Sequence, residues 1–345
     1  MTGATAAIDR GVLRVMERQM SSTAPRGLPR DARVRLLELA AAYRTAPFFP
    51  EPPTPTAADV TARREPDALG AHVTSITFDS GYRPFLPAYR DEHHRQVENH
   101  TVHARLYSSS AGAGHGDRPV MVCLHGWGGG NWWFEERAFV IGYWLRRGFD
   151  VALFQLPYHG ERTRHRSGAM FPSANLVRTN EAFGQAIWDL RAFAAYLRGR
   201  GAPSVGAIGM SLGGYTTALW ATVDPQLAFA VAMIPAVSMS ELMWRHGEES
   251  PARRRAVAAG VSGDLLDDVF AVHAPTERAV LLPRERLMIV AGRGDRITPP
   301  DQAEKLWEHW GRCAIHWFPG GHLAQVGRGD AFRAVRKHLQ VAGLP

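Results

Sequence analysis

"GAIGMSLGGY", residues 206–215, ends an apolar run on Gly209-Met210-Ser211-Leu212-Gly213 and leads straight into "TTALW". Glycine and serine are common in turns, so these residues alone do not separate a nucleophile from a plain strand exit. Their positions narrow the choice. Where a strand turns abruptly into a helix, neighbouring segments leave no room for side chains at 209 and 213, and glycine fits there. The same turn puts Ser211 at the amino end of a helix, where free amides and the helix dipole favour developing negative charge.

Outward from this stretch, short apolar runs alternate with amphipathic ones. "VMVCL" (120–124) is continuously apolar, which suits a strand covered on both faces. "NWWFEERAFVIGYWLRRG" (131–148) opens on a capping Asn131, stops at Gly148 and reads as a helix. "FDVALFQL" (149–156) follows as a strand. "NEAFGQAIWDLRAFAAYLRGRG" (180–201) is then a helix whose Phe183, Ala186, Ile187, Leu190, Ala194 and Leu197 share one stripe. "LAFAVAMIPA" (227–236), "RLMIVAG" (286–292) and "CAIHWF" (313–318) add strands, and "DQAEKLWEHWG" (301–311) and "DAFRAVRKHLQV" (330–341) add helices. Upstream, "HVTSITF" (72–78) and "HTVHARLYS" (100–108) alternate as antiparallel strands do. This succession predicts an α/β fold with a doubly wound, mostly parallel sheet.

Two segments break the rhythm. Residues 1–65 carry helical patterns near 8–20 and 31–44 and then the proline-rich "FFPEPPTPTAADV", which reads as a helical extension and connection ahead of a domain spanning 66–345. Residues 237–284 separate two strands by almost fifty residues. Their helical pieces, bearing Met243, Trp244, Leu265 and Phe270, read as a small lid inserted after the sixth strand.

Composition sets bounds. With 345 residues and 45% hydrophobic content the chain can bury a large core. Its net charge of +7 comes from 40 basic and 33 acidic residues that are scattered, without the clustered stripe that nucleic-acid binding needs. Cys123 and Cys313 fall in apolar strands and read as small core residues rather than a disulfide framework. The first twenty residues carry charges where a secretory signal would be apolar, and no run of ~18 apolar residues occurs, so a cytoplasmic location without a membrane span is expected. Neither "DEHHR" (91–95) nor "HGE" (159–161) belongs to a ligand set at zinc spacing; no metal and no cofactor are expected.

In an open parallel sheet, reactive groups gather at the carboxyl ends of the strands. After "VMVCL" comes His125-Gly126-Trp127, after "VALFQL" comes "PYHGER" (157–162), and after "VGAIGM" comes Ser211. After "LMIVAG" comes Asp295, and after "AIHWFPGG" comes His322. With this ordered set the chain, over about residues 71–345, resembles the α/β-hydrolase superfamily and its serine esterase-like members. These carry G-x-S-x-G and the order Ser, Asp, His.

The resemblance implies Ser211 as nucleophile, His322 as general base and Asp295 as the acid that orients it. Glu241 competes for the last role, since some members place their acid after the preceding strand. It also implies an oxyanion hole built from the backbone N–H groups of Trp127 and Leu212, with His125 orienting its own loop. Tyr158 and His159 are expected at the mouth of the site. Trp127, Trp132, Trp133, Met243 and Trp244 are candidates for an apolar acyl pocket, with ordinary core packing as the competing role. Arg162, Arg164 and Arg166 either meet an anionic substrate or form a solvated face. The activity implied is hydrolysis of a small-molecule carboxylic ester through an acyl-enzyme. Carbon–carbon, lactone and amide hydrolysis and acyl transfer use the same triad and stay open, as does a silent ligand-binding protein. Dehalogenases and epoxide hydrolases of the superfamily place aspartate where this chain has Ser211. Residues 1–65 either pack over the lid or form a homodimer contact.

Overall fold

Val120, Val122 and Leu124 face one hydrophobic core and Met121 and Cys123 the other, so a single five-residue run is buried on both sides. This two-sided burial is the rule for the central strands. The computed structural model describes residues 8, 9, 11, 13, 29, 31–109, 117–248 and 250–345. Its strands are β1 (Val60–Ala68), β2 (Ala71–Asp79), β3 (Thr101–Ser109), β4 (Val120–Leu124), β5 (Asp150–Phe154), β6 (Val205–Met210), β7 (Ala230–Met233), β8 (Leu287–Gly292) and β9 (Ala314–Phe318). They form one sheet in the order β1-β2-β3-β5-β4-β6-β7-β8-β9. The first three strands and the β3–β5 pair are antiparallel, and β5 through β9 are parallel.

Helices cover both faces. They are α1 (Ala32–Ala42), α2 (Trp132–Ala138), α3 (Ile141–Leu145), α4 (Leu176–Gly199), α5 (Leu212–Trp220), α6 (Met239–His246), α7 (Pro251–Ala258), α8 (Gly263–Phe270), α9 (Pro300–His309) and α10 (Arg328–Val341). The apolar stripe of α4, with α5 and α9, packs on one face; α2, α3 and α10 pack on the other. Helices α6 to α8 form the insertion between β7 and β8, each capped at its start by a serine: Ser238, Ser250 and Ser262. Helix α1 lies on this insertion through a small separate core of Ala32, Val261, Leu265 and Leu266. Among the described residues no helix is long and apolar enough to cross a membrane.

Three expectations need correction. The connection read up to residue 65 already contains most of β1, whose residues are largely exposed and charged and so carry no apolar alternation. The insertion therefore follows the seventh strand, not the sixth. The helix expected over 131–148 is two helices, α2 and α3, interrupted at Val140, whose φ of 47° lies outside helical space. Its start is as expected: the Asn131 side chain accepts the Phe134 N–H at 3.1 Å.

A polar anchor ties the antiparallel end to α4. Glu181 accepts the hydroxyls of Tyr43 (3.1 Å) and Tyr82 (2.8 Å) and the amides of Phe85 (2.8 Å) and Leu86 (3.0 Å). One turn pair further on, Arg162 and Asp189 meet at 2.7 Å with both side chains fully buried. Arg162 is thus a structural cation, not a surface one; Arg164 pairs with Glu98.

Candidate active site

Ser211 sits between β6 and α5 with φ 56° and ψ −112°, a conformation that costs about 1–3 kcal/mol for a residue with a side chain. The surroundings enforce it. A Cβ at Gly209 would lie 2.0 Å from the Gly213 carbonyl oxygen, and one at Gly213 would lie 1.9 Å from the Leu124 carbonyl oxygen. The start of α5 is thereby pressed against the end of β4, which only glycine permits. The Ser211 amide donates to the Met233 carbonyl (2.9 Å) and its carbonyl accepts from Ala236 (3.2 Å), which fixes the turn between two strand ends. Serine at a helix start usually caps it through the side chain. Here the hydroxyl makes no such bond.

Asp295 and His322 lie at the ends of β8 and β9 and meet directly, Nδ1 of the imidazole 2.7 Å from Oδ2 of the carboxylate. Oδ1 of Asp295 accepts the amides of Ile297 (2.9 Å) and Thr298 (2.8 Å), so the carboxylate is held from behind. The Thr298 hydroxyl lies 3.0 Å from Asp295 Oδ2, 3.1 Å from His322 Nδ1 and 3.0 Å from the Ile234 carbonyl. Burial pushes the His322 imidazole pKa down, but the charge and hydrogen bond of Asp295, joined by the charge of Asp9, outweigh it and raise the value above that of ordinary histidine. With Nδ1 engaged by the carboxylate, Nε2 is the nitrogen left to exchange a proton. Glu241, the competing acid, is committed elsewhere: to Arg245 (2.6 Å), Gln302 (3.0 Å) and Lys305.

The loop after β4 passes close to Ser211. A Cβ at Gly126 would stand 3.4 Å from Ser211 Cβ and 3.9 Å from its Oγ, so this loop runs in contact with the serine. The Gly128–Gly130 run continues this loop. The structure pins it. The Gly130 N–H donates to Glu135 Oε1 at 3.0 Å, Gln155 donates to the Gly130 carbonyl at 2.7 Å, and Ser167 donates to the Gly129 carbonyl. Burial pushes the Glu135 carboxyl up to about 7. His125 holds the same region, its Nε2 accepting the Leu156 amide at 3.1 Å and its Nδ1 2.8 Å from the Gly126 carbonyl.

Ser211 opens into a cavity of about 690 Å³ whose walls include Trp127, Leu212, Met239, Leu242, Met243, Trp244, Ile297 and Thr298. Leu13, Leu36 and Leu39 from the amino-terminal residues also line it. Met243 and Trp244 are therefore on the wall. Tyr158 and His159 are not, which corrects their placement at the mouth. Both are buried: the Tyr158 hydroxyl meets that of Tyr89 at 3.0 Å, and His159 packs on His125 and Phe171 while its Nδ1 meets the Pro157 carbonyl at 2.8 Å. Trp132 donates to Glu161 and Trp133 is exposed under Arg137, so neither lines the cavity.

Residues 119–276 match the family described as alpha/beta hydrolase fold. An uncharacterized protein of Mycobacterium tuberculosis is 30% identical over 307 residues, an overlap of 86% of this chain and 70% of the relative. The chain belongs to the α/β-hydrolase superfamily. This α/β hydrolase shares its fold with acetyl xylan esterase 1 from Thermoanaerobacterium sp. JW/SL YS485 (TM-score 0.59, 16% identity, 93% of this chain and 98% of the other). It shares it equally with the acetyl xylan esterase from Paenibacillus sp. R4 (TM-score 0.62, 13% identity, 94% and 98%). Beyond the residues legible in its sequence, the α/β hydrolase uses Thr298, Glu135, Gln155 and Ser167 around the site. Among these, only Thr298 had a signal in sequence, its place in the "RGDRITPP" turn directly after Asp295.

Proposed function

We propose that the protein is a serine hydrolase of carboxylic esters with an apolar acyl group, working through an acyl-enzyme. What supports the reading is the bonded Asp295–His322 pair, joined through Thr298 to the wall of the cavity into which Ser211 opens. Ser211 Oγ attacks the ester carbonyl carbon while His322 Nε2 takes its proton, and Asp295 stabilises the imidazolium so formed. The oxyanion is met by the N–H groups of Trp127 and Leu212, each worth about 100- to 1000-fold in rate. The bond to the leaving oxygen then breaks, and Nε2 returns the proton to the departing alcohol. Water attacks the acyl-enzyme by the same route, His322 taking its proton and passing it to Ser211 as the carboxylic acid leaves.

The acyl preference follows from the wall. Apolar side chains make up most of it, beside Arg35, Arg178, Arg253 and Arg255, and its volume is in the range of pockets that enclose whole small molecules. Two measurements test the reading together. A fluorophosphonate is expected to label the wild-type protein and not Ser211→Ala, and p-nitrophenyl esters are expected to turn over with kcat/KM rising from acetyl to longer acyl chains. A wild-type protein inert to both would leave the fold with a silent ligand-binding role.

A further inference from the structure

Asp9 belongs to the amino-terminal residues that lie outside the sheet, and no motif drew attention to it. Its side chain is fully buried. Oδ2 accepts the amides of His322 (2.9 Å) and Arg296 (3.2 Å), and Oδ1 accepts that of Leu323 (3.2 Å). One carboxylate thus grips the backbone of His322 itself and of the residue that follows Asp295, from more than 280 positions away in sequence. Burying a carboxylate is expensive unless charged-group hydrogen bonds replace its water, and three amides do so here. Among the described residues no lysine or arginine forms an ion pair with it.

The loop that carries His322 needs such a grip. Between β9 and α10 it has no sheet partner, and its internal bonds are those of a tight turn: Gly321 N–H to the Ala324 carbonyl (3.0 Å) and Gln325 Nε2 to the His322 carbonyl (2.8 Å). We propose that Asp9 is a positioning residue of the active site, holding the loops that bear Asp295 and His322 in register with one another. The assignment rests on the serine-hydrolase reading above. Asp9 sets where the imidazole stands by fixing its backbone, and its negative charge also acts on the ring. The charged groups acting on that ring are Asp295 and Asp9.

The test uses the full chain with Asp9→Asn and Asp9→Ala, assayed for ester turnover and for fluorophosphonate labelling across pH. Asparagine keeps the shape but turns an N–H2 toward the amides, so it reads the proposal even if alanine prevents folding. Both variants are expected to lose about 10²-fold in kcat with KM little changed, the scale of a small misplacement of a catalytic group. The acid limb of kcat/KM should also move to lower pH, because His322 loses a neighbouring negative charge. Wild-type rates and an unmoved limb in Asp9→Asn would overturn the proposal. So would a lower rate that tracks only the fraction folded, with the limb unmoved. A wild-type protein that never labels sinks the parent reading, an outcome separate from these.

Discussion

At Ser211 the backbone holds a conformation that an isolated chain would avoid, and two glycines are the reason it can persist. The acid partner is the sharper question at this scale. Asp295→Asn, which would favour the wrong imidazole tautomer, is expected to lower kcat by about 10³- to 10⁴-fold. Glu241→Gln, which removes only the contacts to Arg245, Gln302 and Lys305, should stay within about twofold in steady-state ester assays. A reversal of that ranking would move the acid to the helix after β7. Ser211, Asp295 and His322 were readable because each follows an apolar strand, and the parallel sheet brings strand ends to one rim. Asp9 was not, since it follows no strand and a contact between residues 313 positions apart leaves no period in the sequence.

Strands were legible where their side chains form an apolar run or alternation and illegible where they do not. β4 announces itself by an unbroken apolar run, whereas β1, "VTARREPDA", pairs through its backbone and offers its side chains to solvent. The Gly128–Gly130 loop shows a related gap: its composition suggests freedom, yet Glu135, Gln155 and Ser167 immobilise it. Glu135 makes this element sensitive to pH. Its carboxyl ionises near 4.5 when unfolded and near 7 when folded, so between those values only the unfolded chain gives up the proton. Stability is therefore full below about pH 4.5, falls as pH rises, and has lost this contribution above about 7, by at most about 3 kcal/mol. Glu135→Gln keeps an oxygen for the Gly130 amide and cannot ionise. Its melting temperature is expected to decline less than that of the wild type between pH 5 and pH 8, by scanning calorimetry at each pH. Parallel curves for the two proteins would remove Glu135 as the source.

Over the whole molecule, the roof of the cavity is held only in part by the sheet's core, which it joins through Met239, Leu242 and Phe270. Two large clusters flank the strands, while α1, α7 and α8 meet around the small group of Ala32, Val261, Leu265 and Leu266. Local opening follows the extent of apolar packing, so amides of 251–262, where α7 buries no side chain, are expected to exchange with deuterium well before those of β4 and β6. Equal protection of the two regions would show that roof and sheet open as one unit. The sequence could mark 237–284 as an insertion but could not show that α1 rests on it, because that small core is split between Ala32 of α1, Val261 ahead of α8, and Leu265 and Leu266 of α8.

The grip of Asp9 on the His322 loop also orders events in time. Synthesis delivers residue 9 long before residue 322, so a nascent chain displays Ser211 before the loop that carries His322 has been made. Under the proposed mechanism, the reactive centre is completed only once these two distant segments have met.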